Sequence, residues 1–291
     1  MPAVTLPDST RLGPVVLNVR DRAAMADFYG RALGLQVHEH GSWHPSGPGL
    51  TAMGFEGEDL VRLVQDSHSL EAGRHASLYH FCLAVEARAD LGWWIRRLVD
   101  GGFELQGLVD HRMAEAVYLE DPEGNGIELN CDRPRDQWRP WSEWLAMGNA
   151  PLDVQGLLDE SGKAGSRKTL PASTRVGHLH LHVGDLKACE DFYCGALGLS
   201  KTAEIPGQAV FTAAGGYHHH IAFNVWKGRQ VAPQPQGAFG LRSATLLLPA
   251  SFDLQSLAGR LRESGYPCEA SEEGLLTHDP SHHGLVLRTA N

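Results

Sequence analysis

The stretch "DFYGRALGL", Asp27–Leu35, returns 164 residues later as "DFYCGALGL", Asp191–Leu199, with seven identities in nine. Each copy follows an alternating apolar stretch ending in Val-x-Asp, "VVLNVRD" (residues 15–21) and "LHLHVGD" (residues 179–185). Alternation of this kind reads as a strand, and an Asp directly before a helical run reads as its N-cap. A fainter pair, "ADLGWWIRRLVDGGF" (Ala89–Phe103) and "FDLQSLAGRLRESGY" (Phe252–Tyr266), sits in each case between a strand and an Asp-Pro turn. Repeats take precedence in reading a fold. These divide the chain into four similar units near residues 10–66, 77–131, 174–228 and 238–290. Each unit reads as a strand, a helix, then two or three strands, and unit two closes on an explicit hairpin, "EAVYLE", "DPEGNG", "IELNC". Units one and two span residues 1–131 and units three and four residues 174–291, joined by a linker at 132–173. Trp138, Trp141 and Trp144 in that linker are expected to pack across the boundary.

The bulk numbers narrow the function. The chain has 291 residues, enough for two cores, with 42% hydrophobic and 21% charged residues, an ordinary soluble composition. A formal net charge of −10 with no basic stripe argues against nucleic acid as a partner. No apolar run approaches a membrane span, and "MPAVTLPDST" lacks the pattern of a signal peptide. Five cysteines with no CxxC read as reduced thiols, and the protein as cytoplasmic. Nothing in the sequence fixes an oligomeric state, and a homo-oligomer is compatible with it.

Sixteen histidines are many, and three of them are consecutive, in "GGYHHHIAF" at residues 215–223. The run lies inside the chain, between a Gly-Gly turn and a strand-like segment, so it is no terminal tag. Upstream, alternation puts His178, His180 and His182 on one strand face, which would make that face polar.

With four βαβββ units and "DFYxxxLGL" after the first strand, the chain resembles the vicinal oxygen chelate superfamily, which includes glyoxalase I, extradiol dioxygenases and bleomycin-resistance proteins. "LYHFCLAV", "YLEDPEGNGIELNCDRP", "GHLHLHVGDL" and "GGYHHHIAFNVW" most resemble its bacterial catechol 2,3-dioxygenase-like branch. The resemblance covers about residues 10–290. It implies an α+β fold in which units pair into two curled-sheet cups with helices outside, one cup holding a metal.

The family takes its metal ligands from the first strand of a unit, seven residues before the Asp of Val-x-Asp, and from the last strand. By that rule unit three supplies His178, unit two His80 and, in "GNGIEL", Glu128. Units one and four hold Pro14, Ser243 and Val286 in those places, none of them a strong donor. A complete set therefore requires units two and three to pair across the linker. Two imidazoles and one carboxylate leave open positions on one side of an octahedral ion, the arrangement of non-haem Fe(II) oxygenases. The resemblance thus implies Fe(II), with Mn(II) as its alternative, acting on a small aromatic diol and dioxygen. It also implies an acid–base histidine two residues before an aliphatic-Ala pair. This is His219 on spacing, with His220 as rival, because strand parity would set His218 and His220 on the face opposite His219. Tyr118, ten residues before Glu128, matches a tyrosine that bonds substrate oxygen, and His111 matches a pocket histidine. A glyoxalase I-like isomerase or lyase, using Zn or Ni, needs a second last-strand carboxylate, whose slot in unit three falls near Ala222. A metal-free binding protein of the same fold is the remaining alternative.

Overall fold

The computed structural model describes residues 5–38, 49–55, 58–65, 73–163, 169 and 171–290. Unit one runs β1 (Arg11–Val19), α1 (Arg22–Phe28) extended by a π-helical turn (Tyr29–Leu33), β2 (Gln36–His38), β3 (Leu50–Phe55) and β4 (Glu58–Gln65). Unit two runs β5 (Ser77–Val85), α2 (Arg88–Asp100), β6 (Gly107–Asp110), β7 (Ala114–Glu120) and β8 (Gly126–Asp132). The linker holds α3 (Trp141–Met147), β9 (Ala150–Pro151) and α4 (Val154–Lys163). Unit three runs β10 (Arg175–His182), α5 (Leu186–Glu190) with a second π-helical turn (Asp191–Leu197), β11 (Ser200–Ile205), β12 (Ala209–Ala213) and β13 (Ile221–Asn224). Unit four runs β14 (Gly240–Leu248), α6 (Leu254–Glu263), β15 (Cys268–Ser271), β16 (Gly274–His278) and β17 (Gly284–Thr289).

The repeated motif works as a folding device. Asp21 caps α1 by accepting from the Ala24 N–H, and Asp185 caps α5 by accepting from Lys187 and Ala188. The motif glycines, Gly34 and Gly198, end the helical turns in the left-handed region, at φ 75° and 97°. Between cap and glycine, the motif tyrosine reaches the Asp-Pro turn of the following unit. Tyr29 donates to Asp121 Oδ2 at 2.8 Å and Tyr193 to Asp279 Oδ2 at 2.9 Å. Each is a buried bond to a charged acceptor, worth about 1.5–3 kcal/mol. The helices of successive units also lock together: Arg97 of α2 donates to Gly30 O and Arg31 O, and Arg260 of α6 to Ala196 O and Leu197 O.

Helices thus couple unit one to two and three to four, while the sheets couple differently. One sheet has the order β15-β16-β17-β14-β1-β4-β3-β2, joining units four and one. The other, β11-β12-β13-β10-β5-β8-β7-β6-β9, joins units three and two and takes its last strand from the linker. Val15 and Leu17 of β1, Phe81 and Leu83 of β5, and Leu179 and Leu181 of β10 belong to one continuous buried cluster with the helices. The opposite faces of the two sheets each line a cavity rich in polar side chains. No helix among the described residues is long and apolar enough to cross a membrane, and all five cysteines are free.

Candidate metal centre

The floor of the nine-stranded sheet is built from β5, β8 and β10. β10 pairs antiparallel with β5, setting His180 opposite His80, and β5 pairs parallel with β8, setting Cys82 beside Glu128. The β5–β10 pairing slips twice. Leu78–Phe81 faces Leu181–Leu179, and Val176–Leu179 faces Leu83–Phe81, three steps against two each time. Such bulges bend a sheet and re-aim side chains. Here they bring Tyr79 and His80 together onto the cavity wall, and His178 onto it from the other strand. Gly177 permits the second bulge, since a Cβ there would lie 3.1 Å from Ala84 Cβ and 3.2 Å from Cys82 Sγ.

His80, Glu128 and His178 converge at the bottom of this cup, each at most 5% exposed. Nε2 of His178 and Nε2 of His80 each lie 3.0 Å from the same oxygen, Glu128 Oε2. Only the His178 contact has hydrogen-bond geometry. His80 Nε2 is buried without a hydrogen-bond partner, as are Nδ1 of His80 and of His178. Burial opposes ionisation of Glu128, but His178 and His80 outweigh it and hold the carboxyl well below its ordinary range. Burial pushes the His178 pKa down. Glu128 is therefore held as a carboxylate and burial favours neutral His178, the forms in which a divalent cation takes such ligands. The orphaned His80 Nε2 and the shared oxygen fit an ion, and the N₂O donor set suits Fe(II) or Mn(II).

The histidine run comes down from above. His218, His219 and His220 precede β13, which starts at Ile221, so strand alternation does not govern them. The parity expectation is corrected accordingly: His218 and His219 both line the cavity, while His220 turns away and its Nδ1 accepts the Ala214 N–H at 3.2 Å. Burial pushes the His220 pKa down to about 3. The His219 ring lies over that of His178, centroids 4.1 Å apart, and burial followed by His178 and His218 drives its pKa well below normal. One ring nitrogen from each of His178, His218 and His219 lies within 4.8 Å of the other two. His218 links His219 to an acid: its Nδ1 is 2.8 Å from His219 Nδ1, and its Nε2 is 3.1 Å from Asp132 Oδ1. Asp132 also accepts from Tyr217 and Arg175, at 2.8 and 3.2 Å. Burial favours its neutral form, but the bonds from His218 and Tyr217 prevail and its pKa is lowered.

Tyr118 of β7 and His111 of the loop after β6 both reach the cavity and meet each other, Tyr118 Oη lying 2.8 Å from His111 Nε2. Nδ1 of His111 is 2.9 Å from Asn149 Oδ1, so Nδ1–H donates to the amide and Nε2 accepts the tyrosine proton. Burial, then Glu128, pushes the Tyr118 pKa well up, keeping it a phenol. Asp132 and Asn149 lay in the stretch read as linker and were missed. Trp138 packs against Tyr217 and His218, at 5.8 and 5.4 Å, and the Trp141 side chain lies outside what the structure describes.

The eight-stranded sheet repeats the same architecture with other residues. Its β1–β14 pairing slips at the same two places, and the registers put Pro14 where His178 stands, Ser243 for His80 and Val286 for Glu128. One further equivalence emerges from the registers. The position of Glu128 is taken in unit three by Ala222, opposite His180, and in unit one by Arg62, opposite Val16. Arg62 is buried and ion-paired to Asp59 at 2.9 Å and Glu273 at 3.0 Å, so a guanidinium fills the second cup where a cation would go.

Residues 11–129 and 175–278 match the model of the glyoxalase/bleomycin resistance protein/dioxygenase superfamily. The chain is 37% identical over 279 residues to catechol-2,3-dioxygenase of Bacillus subtilis (strain 168), covering 94% of this chain and 95% of that one. Among solved structures it resembles a protein of Bacillus subtilis subsp. subtilis strain 168 with a TM-score of 0.67 at 12% identity, covering 98% of this chain and 86% of the other. It also resembles glyoxalase I from Zea mays, with a TM-score of 0.58 at 16% identity, covering 96% and 92%. At those identities the structural likenesses speak for the fold alone. With the family model covering most of its length, the chain belongs to the glyoxalase/bleomycin resistance protein/dioxygenase superfamily.

Proposed function

We propose that the protein is an extradiol ring-cleaving dioxygenase of a catechol-type substrate, holding one Fe(II) between His80, Glu128 and His178. The observation that carries the reading is the donor set itself. Two imidazoles meet one carboxylate oxygen at 3.0 Å, and the fourth protein position, which an isomerase would fill with a second carboxylate, is Ala222. The name of the 37% identical relative supports it. When bound, the metal would supply Lewis acidity and one-electron chemistry toward a diol and dioxygen.

The remaining work falls to side chains. Asp132 accepts from His218 Nε2–H, which leaves His218 Nδ1 to accept from His219 Nδ1–H and leaves His219 Nε2 with its lone pair. His219 takes a hydroxyl proton at Nε2 while its Nδ1 proton moves to His218, and the positive charge settles against Asp132. The proton returns by the reverse transfers, from His218 to His219 Nδ1 and from His219 Nε2 to the product, when the ring bond beside the diol opens. Tyr118, whose own proton is directed to His111, keeps lone pairs to accept from the second hydroxyl and orient the ring. Both atoms of dioxygen end in the opened product.

Fe(II) titrated anaerobically into metal-free protein should bind once per chain, and His178→Ala should lose most of that affinity. Oxygen uptake with a catechol should follow metal content. Equal binding by His178→Ala refutes the assigned ligands. Isomerisation of a hemithioacetal without any catechol cleavage refutes the reaction.

A further inference from the structure

The cavity above the candidate ligands measures about 490 Å³ and has two unlike ends. The deep end is polar. The rest of the lining includes Val109, Met113, Ile205 and Phe211 and reaches the surface at Tyr79 and Trp226. These last two are large aromatics left 39% and 46% exposed, edge to face at 5.5 Å. Tyr79 stands there because of the β5 bulge. His180 packs against both, centroids 5.1 Å from Tyr79 and 5.2 Å from Trp226, with Phe211 at 5.9 Å. His180 thus presents its ring among three other aromatic side chains and extends their surface into the cavity. Among the described residues that line the cavity there is no lysine or arginine, and its charged members are Glu120 and Glu128.

Resting on the dioxygenase reading, we infer that the substrate is a neutral catechol bearing an apolar, aryl-type ring substituent, and that Tyr79, His180 and Trp226 are the residues that select it. The diol end goes to the polar floor, and the substituent lies in the aromatic mouth. A ring carboxylate there would meet no cation and would approach two glutamates, losing its water without compensation. Offset or edge-on contacts with Trp226 and Tyr79 would hold an aryl group.

The test compares 3-phenylcatechol with 3,4-dihydroxybenzoate by isothermal titration into Fe(II)-loaded protein under argon, then by oxygen uptake. The aryl ligand should bind at least about 100-fold more tightly, and Trp226→Ala and Tyr79→Ala should each reduce that ratio by about tenfold. Both side chains are substantially exposed, so their loss leaves the core intact; circular dichroism checks this. Failure of 3-phenylcatechol to bind, equal binding of the two, or an unchanged ratio in both variants overturns the inference. Faster cleavage of the carboxylate overturns it while leaving the dioxygenase reading intact. Preferred binding of the aryl ligand with no oxygen uptake sinks the dioxygenase reading and leaves the selectivity standing.

Discussion

Buried histidines whose pKa the fold pushes down should make the metal-free protein acid-labile well above the usual carboxylate range. In the fold, burial drives the pKa of His180 and His219 well down and that of His220 to about 3. Unfolded, each titrates near its ordinary value of about 6.5. Below that pH the unfolded chain binds more protons than the folded one, so stability falls as pH falls. Between about pH 7 and pH 5.5, a group that stays neutral in the fold loses about 1.2 kcal/mol of stabilisation, and three such groups about 4. His178 adds in the same direction. Glu128 and Asp132, whose pKa values are lowered, change nothing here, since their contribution is lost only at lower pH. Domains of this kind hold about 5–15 kcal/mol in total, so the loss is large. Urea unfolding of metal-free protein at the two pH values measures it. His220→Asn can keep the bond from Ala214 through its amide oxygen and should lose about 1.2 kcal/mol less than the parent over the same interval. Equal losses in parent and His220→Asn would mean that His220 takes its proton inside the fold.

Three further outcomes are expected. Ser243→Ala, in the second cup, should leave both metal content and turnover nearly unchanged, measured by metal analysis and oxygen uptake; a large loss of metal would mean that the wrong cup has been assigned. His219→Gln should retain metal but lose about 10²–10⁴-fold in turnover, with His218→Gln losing less and His220→Asn close to the parent; an essential His220 would contradict its orientation toward Ala214. Tyr118→Phe should lower kcat/KM by about 10–100-fold through loss of one bond to the diol, and His111→Ala should act in the same direction; parent-like kinetics in both would remove the pair from the site.

What could be read in the sequence was whatever is encoded locally or by repetition. "DFYxxxLGL" carries a cap, a tyrosine and a left-handed glycine within a few residues, so the four units were visible. Side-chain chemistry then allowed only one pairing of units to assemble three donors, and the nine-stranded sheet has that pairing. The misses share another cause. Asp132 and Asn149 lie in or beside the linker, where no period marks which side chains turn back; each meets its histidine across many residues of chain. Tyr79 owes its place to a bulge, and parity counting fails at a bulge because one inserted residue reverses the face. It failed at His218 for a simpler reason, since a turn through Gly215 and Gly216, at φ 61° and 65°, delays the strand until Ile221.

The two cups show where the specificity of this scaffold resides. Both carry the same pair of bulges and the same first-strand pairing, so each backbone can present four side chains at one point. In one cup three of the four are donors and the fourth is Ala222, small enough to leave that side of the point open. In the other, proline, serine and valine give no anchor, and Arg62 enters at the fourth position with Asp59 and Glu273 around it. A buried guanidinium held by two carboxylates occupies the place of a cation. Restoring His and Glu at positions 14, 243 and 286 would therefore not suffice for metal binding while Arg62 remains, because the guanidinium already fills the point where the donors converge and its two carboxylates hold it there. The asymmetry follows from residue 62 as much as from the three missing ligands.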